Sequence, residues 1–144
     1  MKSTRPIQGV LIIWAIWEII NGALSTFAPQ QGASLVSWAP KSGWTSDLLL
    51  MSQQYGMVMF VLGVMYLIVA TNPLRYRSLI WVAVAEQAIG ITYALSSFLG
   101  AHTLTLPQFL TQAVVNIVIA AIFILLRPVD MPTTPRRAGA GAAA

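Results

Sequence analysis

Cysteine is absent from these 144 residues, acidic residues number four, and histidine occurs once. The missing thiols exclude disulfides, thiolate metal sites and cysteine nucleophiles, and they leave no basis for inferring a redox compartment. The lone histidine, His102, gives no bis-histidine haem ligation within one chain and makes a poor metal site by itself, so it reads as a solvated loop residue. Charge is scarce as well. Charged residues make up 8% of the chain and apolar ones 57%, whereas a soluble domain carries charge on roughly a quarter of its positions. Runs of about twenty residues hold one ionisable group or none, which lipid accommodates and water does not. The sequence also lacks a nucleophile triad, a phosphate-cradling glycine loop, a metal cluster and a nucleic-acid motif. Its net charge of +4 forms no stripe along an amphipathic element; the basic residues flank the apolar segments instead.

What is present is long apolar runs. Four segments, from about Ile7 to Thr26, Leu48 to Thr71, Ser78 to Leu99 and Leu106 to Leu126, each approach the ~20 residues with which a helix crosses ~30 Å of hydrocarbon. The expected fold is all-α, a four-transmembrane-helix bundle occupying residues 1–128 as one domain. A spanning sheet would need alternating runs of about ten residues, and these are twice as long and do not alternate. Lys2, Arg5, Arg75, Arg77, Arg127, Arg136 and Arg137 all fall on one side, and the other side holds Lys41, offset by Asp47. The positive-inside rule then gives both termini in the cytoplasm of a bacterial inner membrane. A cleaved signal peptide in place of the first span would use Ala23-Leu24-Ser25 as its small-residue site, but Glu18 and Asn21 interrupt the run that such a peptide keeps apolar.

The connection from Phe27 to Asp47 carries Pro29, Gly32, Pro40 and Gly43 as breakers, and Trp38 and Trp44 where an aromatic belt anchors at the headgroups, so it is expected to lie along the interface. Asn72-Pro73 predicts a tight turn, and Pro107 sits in a first helical turn, where its missing N–H does no harm. Residues 129–144, rich in proline and then in alanine and glycine, predict a disordered cytoplasmic tail.

Chemistry is expected from the polar residues inside the spans. Ionisable groups in a bilayer cost at least a few kcal/mol and usually face the bundle interior. Glu18 and Glu86 are the two such groups. Residues three or four apart share a helix face, which puts Trp14, Glu18 and Asn21 together on the first helix, and Gln53, Gly56, Gly63 and Tyr66 on the second with Gln54 and Tyr55 beside them. The third presents Ala83, Glu86, Gly90 and Tyr93 with Gln87 adjacent, and the fourth presents Gln108, Gln112, Asn116 and Ala120. Depths counted from the helix ends set Gln54 and Gln112 about 9 Å below the exported surface, roughly level with Glu18 and Tyr93. If all four stripes turn inward, Trp14, Glu18, Asn21, Gln54, Tyr55, Glu86, Gln87, Tyr93, Gln112 and Asn116 line a polar pocket in the outer half that suits a polar headgroup, a quinone-like ring or a proton. The competing reading takes carboxamides and small residues as ordinary glue between membrane helices.

Asn21-Gly22 near the end of the first helix, Phe27 and Pro29 at its exit, the long exported connection, and Tyr55-Gly56, Gly63 and Tyr66 in the second helix resemble the DoxX-like group of small bacterial four-helix membrane proteins over nearly the whole chain. That resemblance implies a fold, and an association with quinone-linked respiratory complexes for some members. The run Ala15-Ile16-Trp17-Glu18-Ile19-Ile20-Asn21-Gly22 is similar to the first helix of small multidrug-resistance transporters, whose glutamate there exchanges protons for a cationic drug; the similarity carries over to Glu18 alone. The longer exported loop and the one-sided charge bias depart from that family.

Three readings of function follow. The first is a non-enzymatic membrane subunit or a bundle that binds a lipid or quinone-type lipophile, with lipids, a membrane-protein partner or further copies of itself as its company and no protein-held metal. The second is a proton-coupled transporter of small molecules using Glu18 and Glu86. The third is a membrane isomerase acting on a lipophilic substrate, with the two carboxyls as acid and base.

Overall fold

The computed structural model describes residues 4–35, 39–40, 43–101 and 103–128. The chain is all-helical: α1 (Arg5–Phe27), α2 (Pro29–Leu35), α3 (Ser46–Thr71), α4 (Ile80–Leu99) and α5 (Leu106–Leu126). All but α2 are long and apolar enough to cross a membrane. Trp38, Lys41, His102 and the tail from residue 129 lie outside the described residues.

Local chemistry explains where the helices begin. Pro6 occupies the first turn of α1, where the ring's fixed φ suits a helix start, so α1 opens at Arg5. Thr45 caps α3, its hydroxyl accepting from the Leu48 N–H at 3.2 Å. Gln108 caps α5, its side-chain oxygen accepting from the N–H and the hydroxyl of Thr105, both at 2.9 Å. The expected breaker Pro29 instead begins α2, because a proline is as harmless there as in any first turn. This short helix leans on α1 at Gly32, whose missing side chain admits Leu24.

The four long helices form two antiparallel pairs. In the first, α1 and α3 run in close contact along their length. Gln8 Nε2 donates to the Ala70 carbonyl at 3.1 Å near one end, and Thr26 Oγ1 donates to the Gln53 carbonyl at 3.4 Å near the other. Glycine makes this approach possible: a Cβ on Gly22 would lie 2.6 Å from the Phe60 nitrogen, and one on Gly63 would lie 2.9 Å from the Ala15 carbonyl oxygen. In the second pair, Asn116 of α5 covers Gly90 of α4, Phe98 stacks on Phe109 with centroids 4.9 Å apart, and the Arg127 guanidinium sits 4.6 Å from the centre of the Trp81 ring.

The two pairs join at the end that carries Arg5, Arg75, Arg77 and Arg127, called here the basic end. Ile7, Leu11 and Ala15 of α1, Tyr66, Val69 and Ala70 of α3, Ile80 and Ala83 of α4, and Phe123 of α5 make one buried cluster there. The segment between α3 and α4 plugs it. Its residues are held by short-range turn bonds such as Tyr76 N–H to Asn72 O at 3.1 Å and Leu79 N–H to Tyr76 O at 2.9 Å, with Pro73 buried and Tyr76 and Leu79 against the cluster. The regular helix α4 therefore starts at Ile80, already within the buried cluster, two residues later than the apolar run suggests.

Candidate functional site

The interior face of α1 repeats at helical spacing, with Ile7, Leu11, Ala15, Glu18 and Gly22 all buried. Four of these positions are occupied by apolar residues or glycine, so the fifth, Glu18, enters the bundle because its neighbours do. It is 2% exposed. Opposite it, from the other helix pair, stands Glu86, half-buried and near enough to Glu18 for the two side chains to interact. Carboxylates offer acceptors only, so a hydrogen bond between the two groups needs a proton on one of them. Tyr66 of α3 completes the arrangement: its ring is fully buried and its hydroxyl donates to Glu86 Oε2. Three helices thus meet at one polar point on the rim of the apolar cluster.

Two atoms at this point have no hydrogen-bond partner in the protein: Trp14 Nε1 and Glu18 Oε2. The Trp14 ring meets the Phe123 ring of α5 edge to face, with centroids 6.5 Å apart, so both Trp14 and Glu18 are turned toward the α4–α5 pair. Gln87, next to Glu86 in sequence, is buried at 2% exposure.

The other expected site residues are dispersed. Asn21 is half-buried and donates to the Trp17 carbonyl of its own helix at 2.9 Å. Asn116 is half-buried against Gly90 and serves the α4–α5 contact. Gln112 is half-buried, and Gln54 is exposed on the outside of α3. Tyr55 and Tyr93 are 62% and 66% exposed, with Tyr55 in the neighbourhood of Glu18, Glu86 and Tyr93. Gln108, the first member of the α5 stripe, is exposed and spent on its helix cap.

The expected levels also change. Glu86 faces Glu18, and α1 and α4 both run away from the basic end, so Tyr93, seven residues beyond Glu86, lies about 10 Å past the carboxyls. Gln54 follows Gln53, whose carbonyl meets Thr26, and so lies about 12 Å past Glu18. Gln112, one turn beyond Asn116 and its contact with Gly90, is about 12 Å past the carboxyls too. Depths counted from each helix's own end missed this stagger, because α3 begins well above the exit of α1 and α4 begins deep inside the bundle. In place of the broad ten-residue pocket, the structure brings Trp14, Glu18, Glu86 and Tyr66 to one centre, with Gln87 buried on the same helix as Glu86. Tyr66 was legible as a face residue but not as the donor to Glu86; its spacing of three from Gly63, which packs against the α1 backbone at Ala15, is the signal that turns it inward.

Among the described residues there is no group of three or more histidine, aspartate or glutamate side chains placed to hold a metal ion. The fold and this centre define a four-helix membrane protein with a carboxyl pair in its interior. Comparison with protein-family models, curated proteins and solved structures finds no match for the chain.

Proposed function

We propose that this chain is a proton-coupled carrier of small molecules in the bacterial inner membrane, in which the Glu18–Glu86 pair takes up and releases the coupling proton. The observation that carries the reading is the position of the pair: one carboxyl belongs to α1–α3, the other to α4–α5, and the two meet at the joint between the helix pairs. Adding or removing that proton changes the attraction between the units, so protonation and the relative placement of the pairs are linked. Rigid-body movement of one helix unit against another around a fixed mid-membrane site is the general mechanism of alternating access. The hydrogen bond from Tyr66 supports this assignment by tying Glu86 to α3 as well.

The reading as a passive holder of a lipid or quinone-type ligand has less support, because Asn21, Gln54, Gln108 and Asn116 are exposed, capped or engaged within their own helix or helix pair. An isomerase would need a substrate chamber around the two acids, and they are in contact with each other instead.

The test is substrate-driven proton movement. Proteoliposomes loaded with a pH-sensitive dye are challenged with a panel of lipophilic amines and of uncharged lipophiles. The expected result is an internal pH change with at least one class for the native chain and its loss in Glu18→Gln and Glu86→Gln. Equal responses in all three proteins, or none in the native chain, would count against the carrier and return attention to extraction of a bound lipophile for mass spectrometry.

A further inference from the structure

Trp14 and Glu18 stand one turn apart on the same face of α1, and each contributes one buried polar atom without a partner in the protein, Nε1 and Oε2 respectively. Buried polar atoms are satisfied in the great majority of cases, so two orphans on adjacent turns point to something that binds there. Their chemistry differs. An indole N–H only donates, and a carboxyl oxygen that bears no proton accepts.

A complementary ligand must therefore accept from Trp14 and donate to Glu18. An ammonium group has nothing for the indole to donate to, a carbonyl has nothing to give the carboxyl, and an anion is repelled by the two acids. A hydroxyl group does both through a single oxygen. We propose that Trp14 Nε1 and Glu18 Oε2 form a two-point site for a hydroxyl group, whose oxygen accepts from the indole and whose hydrogen is donated to the carboxyl. The surroundings limit what carries that hydroxyl. Leu11, Ala15 and Phe123 are buried beside the site and supply no further polar partner, so the carrier is either a single water or the apolar chain of a lipophilic alcohol. The site does not depend on the carrier reading, since it needs no proton to cross the membrane.

The state of the Trp14 N–H tests this directly. Delipidated protein in phosphatidylcholine nanodiscs is examined by ultraviolet resonance Raman, in which an indole band reports N–H hydrogen bonding, and the Trp14 contribution is isolated by subtracting the spectrum of Trp14→Phe. A hydrogen-bonded N–H without additive assigns the site to water. A band that shifts to the hydrogen-bonded position only when dodecanol is added assigns it to a lipophilic alcohol. An unbonded N–H under both conditions overturns the proposal. Glu18→Leu supplies a second subtraction should Trp14→Phe fold poorly: removal of the second contact point is expected to move the band toward the unbonded position, and an unchanged band would refute the two-point geometry. Loss of proton flux with an intact Trp14 signal, or the reverse, separates this inference from the proposed transport.

Discussion

Glu86 holds together more than its half-buried position suggests, because it is at once the acceptor for Tyr66 and the partner of Glu18. Replacing it by leucine leaves a buried phenol hydroxyl and a buried carboxyl without partners, and an unsatisfied buried polar group costs about 1–3 kcal/mol. Replacing Tyr66 by phenylalanine removes one donor and leaves the two carboxyls with each other, a loss of about 1 kcal/mol. Glu86→Gln keeps both an acceptor and a donor and should cost least. Reversible unfolding in mixed micelles should therefore rank the losses Glu86→Leu, then Tyr66→Phe, then Glu86→Gln; a leucine variant as stable as the native chain would show that the three side chains do not form a unit. The sequence made part of this centre legible. Trp14 and Glu18 share a face by spacing alone, and the scarcity of carboxyls in the spans singles out Glu18 and Glu86. What spacing does not supply is the stagger between helices, which decides that Glu18 meets Glu86 and that Gln54, Gln112 and Tyr93 stand some two turns away.

The α1–α3 pair depends on glycines whose roles differ along one helix. Gly22 has the Phe60 backbone where its Cβ would go, whereas Gly9 has nothing within 4 Å of that position. Backbone cannot rotate aside as a side chain can. Gly22→Val must therefore push α3 away over the length of the contact, at a cost of about 2 kcal/mol or more by analogy with overpacked cores. Gly9→Ala should instead be neutral or stabilise α1 by about 0.5–1 kcal/mol, since alanine restricts the unfolded chain and favours helix. Opposite signs for two glycines of one helix, measured by the same unfolding assay, are the expected outcome; equal destabilisation would mean that α1 packs on its Gly9 face too. At this level the apolar runs made the four long helices legible and Asn72-Pro73 marked the turn after α3, whereas the Thr45 cap starts α3 two residues before its run and α4 begins with no side-chain cap. The helix α2 was not legible, since seven residues that open on proline and include Gly32 have little helical preference of their own, and it is contact with α1 at Leu24 that favours it.

Among the described residues every arginine lies at one end of the molecule. Arg5, Arg75, Arg77 and Arg127 lie beside the plug formed by Pro73, Tyr76 and Leu79, while α2, Asp47 and the α4–α5 turn lie at the other end. Four long helices return the chain to the side on which it began, and the positive-inside rule predicts that the basic end faces the cytoplasm. The absence of cysteine from the chain makes that assignment unusually direct to check, because any introduced thiol is the sole target of a maleimide. Ser78→Cys, exposed at the basic end, should react with a membrane-impermeant maleimide only after the cells are opened. Ser34→Cys on α2 and Thr103→Cys before α5, both exposed at the far end, should react in intact cells. The reverse pattern would invert the molecule and place the plug outside, and labelling of all three in intact cells would mean that both orientations coexist. Orientation also fixes the direction in which the carboxyl pair works. The core between the helix pairs closes the path from Glu18 and Glu86 to the basic end, so with that end inside, a proton on the pair should exchange first with the exported side; an external acid pulse should protonate the pair in intact cells sooner than an internal one, as read from the carboxyl infrared band that Glu18→Gln removes.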